Sequence, residues 1–326
     1  MWKSSPPITM RPTLSIIIAN WNGIAFLQRC LSATLLSAQA SGCETEVLLI
    51  DDASTDNSAE QAARDFPSIR MLRNIENSGF GATCNRGARQ AQGDILIFVN
   101  NDLVPREPMV AELAAPLLAD DQLFAVSGKT VEWDGHTPNH VNMAASLQDG
   151  QFTLTFDDAA TLSPTMFVQG GCCAMRRDQF LNFGGFHPIF SPGYWEDYDI
   201  SYRGLKSGWR NLYNPKAVGN HLGQGSMVRA HGARSIAITR QRNREFFQWL
   251  NFTDEAFIQS ITASLPARVA SAFVEPGEGR LWLRGWMKAL AAWPEVEKER
   301  RNRSANLKRS DSDIFAEFAD RGRPCP

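Results

Sequence analysis

No stretch of this 326-residue chain approaches the roughly 20 consecutive apolar residues that a membrane-spanning helix needs. Residues 1–7, Met-Trp-Lys-Ser-Ser-Pro-Pro, carry no apolar region of the kind an export signal has. Charge of one sign is also missing: a net charge of −2 gives no global attraction to nucleic acid, and no nucleic-acid partner is expected. The six cysteines (Cys30, Cys43, Cys84, Cys172, Cys173 and Cys325) show no zinc-ligand spacing. Reduced thiols and a cytoplasmic location are therefore expected, with the adjacent Cys172-Cys173 read as packing residues rather than a redox pair. No internal repeat is visible. Gly79-Phe80-Gly81 has part of a dinucleotide fingerprint but not its full spacing, and it follows the wrong strand.

What the chain has is alternation. An apolar run over 14–19 predicts a first strand, closed by the polar turn Asn20-Trp21-Asn22-Gly23. A helix is expected over 25–40 and a second strand over 46–50, ending at Asp51-Asp52. Ser54-Thr55-Asp56 offers caps for a helix over 57–65; a short strand over 69–72 and a helix from Gly79 to about residue 92 follow. The most informative run is 94–102, Asp-Ile-Leu-Ile-Phe-Val-Asn-Asn-Asp. Its apolar centre reads as a strand buried on both faces, and it ends in two amides and a carboxylate. This order predicts an α/β fold with a mostly parallel, Rossmann-like sheet and right-handed crossovers. Further on, a helix over 108–118, a strand over 123–131, a loop or hairpin excursion over 134–163 and a strand over 166–169 are expected. A short helix over 177–183 and a helix over 196–206 follow, the latter with Asp199 and Arg203 four apart and facing one another. From about His231 the pattern is helical, with breaks near Pro266, Pro276 and Pro294.

Three polar groups end expected strands: Asn20 with Asn22, Asp51 with Asp52, and Asn100, Asn101 and Asp102. Open α/β sheets bind ligands at the carboxyl ends of their strands, so the three should converge along one edge. The set suits a nucleotide. A carboxylate accepts from a base N–H, amides bind ribose hydroxyls, and Asp102 holds Mg²⁺ or Mn²⁺ on a diphosphate. Asp102 needs some such partner, a hydrogen bond or water, because an unpaired buried carboxylate is too costly. Asp is also common where turns begin, so Asp51 and Asp52 carry that simpler reading as well.

Taken in order, the motifs resemble the inverting GT-A glycosyltransferases of family 2, in particular rhamnosyltransferase-like members. The matching residues are Ser15-Ile16-Ile17-Ile18-Ala19-Asn20-Trp21-Asn22-Gly23 and Leu49-Ile50-Asp51-Asp52-Ala53-Ser54-Thr55-Asp56. Asn77-Ser78-Gly79-Phe80-Gly81, Asn85-Arg86-Gly87 and Phe98-Val99-Asn100-Asn101-Asp102 follow, then Gly170-Gly171, Gly184-Gly185-Phe186 and Tyr194-Trp195-Glu196-Asp197-Tyr198-Asp199. The resemblance implies a GT-A (nucleotide-diphospho-sugar transferase) domain over 1–250 and a helical, basic extension over 251–326. It implies that Asp52 contacts the nucleobase and that Asn20, Asn22, Asn77, Gly79, Asn85, Asn100 and Asn101 line the donor. Asp102 would be the one motif carboxylate for metal, with His221 as a further ligand. Of the pair Glu196-Asp197, Asp197 would be the base that takes the acceptor's proton. Each has a plainer alternative: acidic residues at a helix start favour its positive end, and His221 stands in Gly219-Asn220-His221-Leu222-Gly223, read as a loop with no local metal spacing. The expected reaction is metal-dependent inverting transfer from dTDP-rhamnose, or alternatively from a UDP-sugar. The acceptor would be a glycan or lipid-linked saccharide in surface polysaccharide assembly. Two segments depart from the pattern, His187-Pro188 after Gly185-Phe186, and Gly170-Gly171-Cys172-Cys173; both should border the acceptor. A nucleotidyltransferase would need a Gly-rich loop with Arg and Lys after the first strand, which Asn20-Trp21-Asn22-Gly23 does not supply. A catalytically silent sugar-binding or scaffold protein is the other alternative.

Near the end, Trp282, Trp286, Leu290 and Trp293 are spaced for one helical face. Lys298, Arg300, Arg301, Arg303, Lys308 and Arg309 follow against Glu299. Two readings are equally open. Aromatics beside basic residues suit an anionic membrane surface, which would make the protein peripheral on the inner face of the cytoplasmic membrane. Alternatively, the aromatics pack on the catalytic domain and the charges are a solvated face.

Overall fold

The computed structural model describes residues 13–222, 232–274, 277–303, 307–319 and 323–324. Its first hundred residues alternate as expected. Strands β1 (Leu14–Asn20), β2 (Thr45–Asp51), β3 (Arg70–Arg73) and β4 (Ile95–Val99) run parallel in the order β3-β2-β1-β4. Helices α1 (Leu27–Ala40), α2 (Ser58–Asp65) and α3 (Phe80–Gln90) make the crossovers. The continuous apolar runs have a simple cause: the strands are covered on both faces. Ile16, Ile18, Leu49 and Ile97 pack with Leu27 and Leu31 on one side. Ile17, Leu48, Ile50, Leu96 and Phe98 pack with Cys84 and Ala88 on the other.

The sheet then widens with β5 (Leu103–Pro105), α4 (Met109–Ala119), β6 (Leu123–Val131) and β7 (Pro138–His140). The expected excursion is a hairpin, β8 (Asn142–Gln148) and β9 (Gln151–Asp157), followed by β10 (Ser163–Pro164). Next come β11 (Cys172–Arg176), α5 (Arg177–Asn182), α6 (Glu196–Lys206) and β12 (Arg210–His221). β11 lies antiparallel between β4 and β6, and β12 runs parallel to β6. Two sequence expectations are corrected here. The strand placed over 166–169 is not a ladder strand; the strand is Cys172–Arg176. The backbone over 165–169 bonds to several separate segments instead: Thr165 N donates to the Asn211 carbonyl at 3.1 Å and Met166 N to the Met143 carbonyl at 2.9 Å, while Val168 N donates to Ser201 Oγ at 3.1 Å and Gln169 N to Ser127 Oγ at 3.3 Å. His221, expected in a loop, is the last residue of β12, paired opposite Leu103. Cys172 and Cys173 are buried in the middle of the sheet, and burial pushes the Cys172 thiol up to about 12. Among the described residues the cysteines are free.

The C-terminal part is helical: α7 (Ala233–Asn251), α8 (Glu255–Val274), α9 (Glu278–Ala291), α10 (Trp293–Arg303) and α11 (Asp311–Phe318), with β13 (Arg323–Pro324) added to β9. No described helix is long and apolar enough to cross a membrane. Pro266 does not break α8, whose following turn is held by an Arg268–Glu245 ion pair at 2.8 Å. Pro294 lies at the start of α10, where the missing N–H would have had no helical partner. Pro276 lies outside the described residues. Residue 250 does not divide the core: one cluster joins Met143, Phe152, Phe167, Tyr202, Phe247 and Phe252 to Ala289, Val296, Ile314 and Phe315.

The two readings of the tail divide by residue. Trp282 is buried, donating from Nε1 to Glu245 at 2.8 Å with the Arg268 guanidinium over its ring. Trp293 packs edge-on against Trp249 yet stays 42% exposed. Of the basic cluster, Arg300 donates to the Trp249 carbonyl, Arg301 pairs with Glu297, Arg309 pairs with Glu317, and Arg303 is turned inward.

Candidate active site

The polar strand ends converge, and most of their atoms bind one another. Asn20 is fully buried; its Nδ2 donates to Asp51 Oδ1 at 3.1 Å and Ser58 Oγ at 2.9 Å, and its Oδ1 accepts from Asn101 at 2.9 Å. Asn20 and Asn101 therefore join the ends of β1, β2 and β4. Asn22 accepts the Thr55 N–H at 2.8 Å and fixes the loop after β2. Asp52 is 3% exposed and accepts from Asn74 Nδ2 at 2.6 Å, Ser78 N at 2.9 Å and Gly79 N at 2.9 Å. Its carboxylate organises the loop between β3 and α3, on which Asn77 is exposed. Gly79, at φ 83°, lets that loop approach Pro192, whose carbonyl oxygen would lie 2.9 Å from an added Cβ. Asn85 faces the other way. Its amide donates to the Phe186 carbonyl at 2.7 Å and accepts the Phe186 N–H at 2.8 Å, clamping the Gly184-Gly185 turn.

Asp102 and His221, 119 positions apart in sequence, meet because β5 pairs with the end of β12. His221 Nε2 lies 3.3 Å from Asp102 Oδ1, and Leu222 N donates to the Asp102 carbonyl at 2.7 Å. The hydrogen bond to Asp102 raises the His221 pKa against the opposing effect of burial. A carboxylate and an imidazole side by side suit a divalent ion. Among the described residues no third His, Cys, Asp or Glu joins them, so substrate oxygens and water would have to complete the shell.

Asp197 stands at the start of α6, directly after Tyr194 and Trp195, which hold the left-handed values φ 74° and 77°. Such backbone is strained and persists only where the surroundings fix it. Here Asn243 of α7, fully buried, donates to the carbonyls of Phe190, Gly193 and Tyr194 at 2.8, 3.0 and 2.8 Å. Asp197 Oδ2 accepts from Gly170 N at 2.7 Å and Oδ1 from Tyr198 N at 2.9 Å. Burial outweighs these bonds and raises its carboxyl to about 6. Glu196 is different: buried, with Oε2 unpartnered and its pKa driven well above the usual range by burial first and Asp197 second. Of the two, Asp197 keeps partial access to solvent, while Glu196 is closed off.

Two glycines bring this carboxylate beside β4. An added Cβ at Gly170 would lie 3.2 Å from Asp197 Cβ, and one at Gly171 would lie 2.2 Å from Asn100 Nδ2. Asn100 N donates to the Gly171 carbonyl at 3.0 Å. A side chain at Gly171 would displace the Asn100 amide, and one at Gly170 would crowd the Asp197 side chain.

The match to the sequence model of "Glycosyl transferase family 2" runs over residues 15–183, just over half of the chain. The chain belongs to glycosyl transferase family 2. One relative is the N-acetylglucosaminyl-diphospho-decaprenol L-rhamnosyltransferase of Mycobacterium tuberculosis (strain CDC 1551 / Oshkosh), 24% identical over 236 residues, which are 64% of this chain and 75% of that one. Among solved structures, GalNAc-T7 with UDP, GalNAc and Mn²⁺ superposes with a TM-score of 0.65 at 19% identity, over 95% of this chain and 57% of that longer one. The mannosyltransferase PcManGT of Pyrobaculum calidifontis, in complex with GDP-Man and Mn²⁺, gives 0.53 at 17% identity over 98% and 91%. At these identities the likeness is one of fold, and the fold is GT-A.

Sequence reading did not single out Arg240 or His140. The Arg240 guanidinium lies 4.2 Å from the centre of the Tyr194 ring. Neither Arg240 nor His140 stands at the end of a regular apolar strand, which was the available signal.

Proposed function

We propose that this family-2 glycosyltransferase moves rhamnose from dTDP-rhamnose, with inversion, onto a lipid-linked saccharide acceptor in surface polysaccharide assembly. The observation that carries the reading is that the partly accessible carboxylate of Asp197 holds the Gly170 N–H while the next residue, Gly171, is bonded to Asn100, two positions before the Asp102 that pairs with His221. Asp197 takes the proton of the attacking hydroxyl, and a pKa near the working pH suits that task. Asp102 and His221 would hold Mg²⁺ or Mn²⁺, which when bound offsets the charge growing on the leaving diphosphate. The exposed Asn77 and the Asp52-organised loop would border the nucleoside. The rhamnosyl donor is supported by the mycobacterial relative, and the Mn²⁺ dependence by the Mn²⁺ in both neighbouring structures.

The same relative's name supports an N-acetylglucosaminyl-diphospho-polyprenol acceptor. Phe273, Val274, Met287, Leu290 and Trp293 on the C-terminal helices are exposed, with Arg284 and Lys288 beside them, and this apolar and basic surface supports contact with an anionic bilayer. The deciding assay offers dTDP-rhamnose, UDP-glucose and UDP-N-acetylglucosamine with Mn²⁺ and that acceptor, and reads the product's anomeric configuration by NMR. Inverted transfer from dTDP-rhamnose alone is expected. Transfer only from a UDP-sugar would replace the donor, and no transfer from any would remove the reading. Flotation with phosphatidylglycerol vesicles tests the surface; recovery of the protein in the bottom fraction at low salt would remove the membrane contact.

A further inference from the structure

The family match ends at residue 183, while the carboxylate proposed as base and the helix that carries it lie beyond it. What fixes that helix in space comes largely from the end of the chain. Asp199, fully buried on the first turn of α6, accepts from Arg203 Nε at 2.9 Å, Asn251 Nδ2 at 2.8 Å and Arg303 Nη1 at 2.6 Å. Arg203 belongs to the same helix and spends its remaining donors on the carbonyls of Phe183 and Gly185, so it binds the Gly184-Gly185 turn to α6. Arg303 is the ligand of Asp199 that arrives from α10. It is oriented in turn by Glu299 at 2.8 Å, and Glu299 lies 3.5 Å from His187, one of the positions where this chain departs from the family pattern. A further tie reaches the helix's last turn: Asp311 of α11 accepts Lys206 Nζ at 2.9 Å, Tyr202 Oη at 2.7 Å and the Thr253 N–H at 2.6 Å.

We infer that Arg303 is a positioning residue for catalysis: from the C-terminal helix it grips Asp199 and so holds the first turn of α6, with the Asp197 carboxylate, against the Gly170 N–H. The inference rests on Asp197 acting as the base. A buried charge pair gives little net stability against an apolar replacement, but losing one partner leaves the other charge stranded. Its advantage is directional. The guanidinium fork allows one geometry for the carboxylate, and the carboxylate stands two residues from Asp197 on a helix whose entry, Tyr194-Trp195, is strained. The donor edge, built on β1, β2 and β4, shares no hydrogen bond with Arg303 among those described.

The test uses the full chain carrying Arg303→Met, Arg303→Lys and the double change Asp199→Asn with Arg303→Met. Turnover, donor KM and melting temperature are measured, along with amide exchange at Gly170 and Tyr198, the two N–H groups bonded to Asp197. In Arg303→Met, kcat should fall at least tenfold with donor KM within twofold at a temperature well below melting, and Arg303→Lys should recover part of the loss. The double variant removes both charges of the Arg303–Asp199 pair, and Arg203 keeps its bonds to the Phe183 and Gly185 carbonyls, so it should fold while kcat stays low. The Gly170 and Tyr198 amides should exchange at least tenfold faster, with those of β1 unchanged. Wild-type kcat in the double variant, or a kcat loss matched by an equal loss of donor affinity, would overturn the inference. If the unaltered protein transfers no sugar, the transferase reading fails, and the exchange rates still decide whether Arg303 holds this turn.

Discussion

The strand ends around Asn20 and Asp52 and the Asp197 carboxylate proposed as base are held by different means. Around Asn20 and Asp52 the ties are mainly amides, hydroxyls and backbone N–H groups joining neighbouring strand ends. Around Asp197 they are long-range: Asn243 from α7, Asn251 beside it, and the Arg303–Asp199 ion pair from α10. The first network follows from the sheet itself and forms once β1, β2 and β4 pair. The second exists only when the last third of the chain has packed. The proposed site thus combines a locally determined edge with a carboxylate whose placement depends on distant helices, and substitutions in the two should fail differently.

The largest expected effect is on the base. Asp197→Asn should lower kcat by about 10²–10⁴-fold while leaving nucleotide binding intact. Its neighbour sharpens the claim. Glu196 is buried with an unpartnered oxygen and its carboxyl is pushed upward by that burial, so Glu196→Gln should keep activity within several-fold. Equal losses in the two variants would remove the division of roles. pH gives the same contrast. The Asp197 carboxyl sits near 6, above the ordinary range for Asp, so the folded state holds this proton more tightly than the unfolded chain does. Activity should therefore fall below pH 6 as the base is protonated. Stability contributed by that proton is present at low pH and lost as pH rises through 6. Asp197→Asn should accordingly be no less stable than the parent at pH 7.5, as urea titration at pH 4.5 and 7.5 would show.

Next in size is Asp102→Ala. With donor diphosphate at a hundred times its Kd, binding adds about 2.7 kcal/mol to stability, a visible thermal shift. The shift for dTDP should depend on Mn²⁺ in the parent and lose that dependence in the variant. An unchanged Mn²⁺ titration would show that Asp102 only pairs with His221.

The asymmetry also explains what could be read from the chain. The parallel strands, the crossovers and the run ending in Asn100-Asn101-Asp102 are visible because each is a local pattern of burial and strand end. Asp199–Arg203 was visible as a spacing of four, but Arg303, 104 positions away, was not, since a single Arg in a basic run resembles any solvated charge. The misplaced strand over 166–169 has a similar cause. Met166, Phe167 and Val168 are as buried as any strand, but their backbone partners are scattered: the Met143 carbonyl for Met166, the Thr165 hydroxyl for Phe167 and the Ser201 hydroxyl for Val168, which periodicity does not reveal. Asn20, Asn22 and Asn85 were visible as amides near a site. Their polar atoms point to Asp51, Thr55 and Phe186, so within the described structure they act as struts between loops.

That distinction sets the smaller predictions. Asn20→Ala removes a buried amide bonded to several partners and strands the Asn101 donor, so it should cost about 1–3 kcal/mol of stability. Asn77→Ala removes an exposed amide on the loop that Asp52 organises; surface changes of this kind lie within about 0.5 kcal/mol. If Asn77 borders the nucleoside, its loss should raise donor KM a few-fold with kcat and urea midpoint unchanged, the reverse of the Asn20 pattern. A fall in urea midpoint like that of Asn20→Ala would place Asn77 among the struts. An unchanged donor KM would leave the loop's contact with the donor to backbone groups around Ser78 and Gly79, which Asp52 already holds in place.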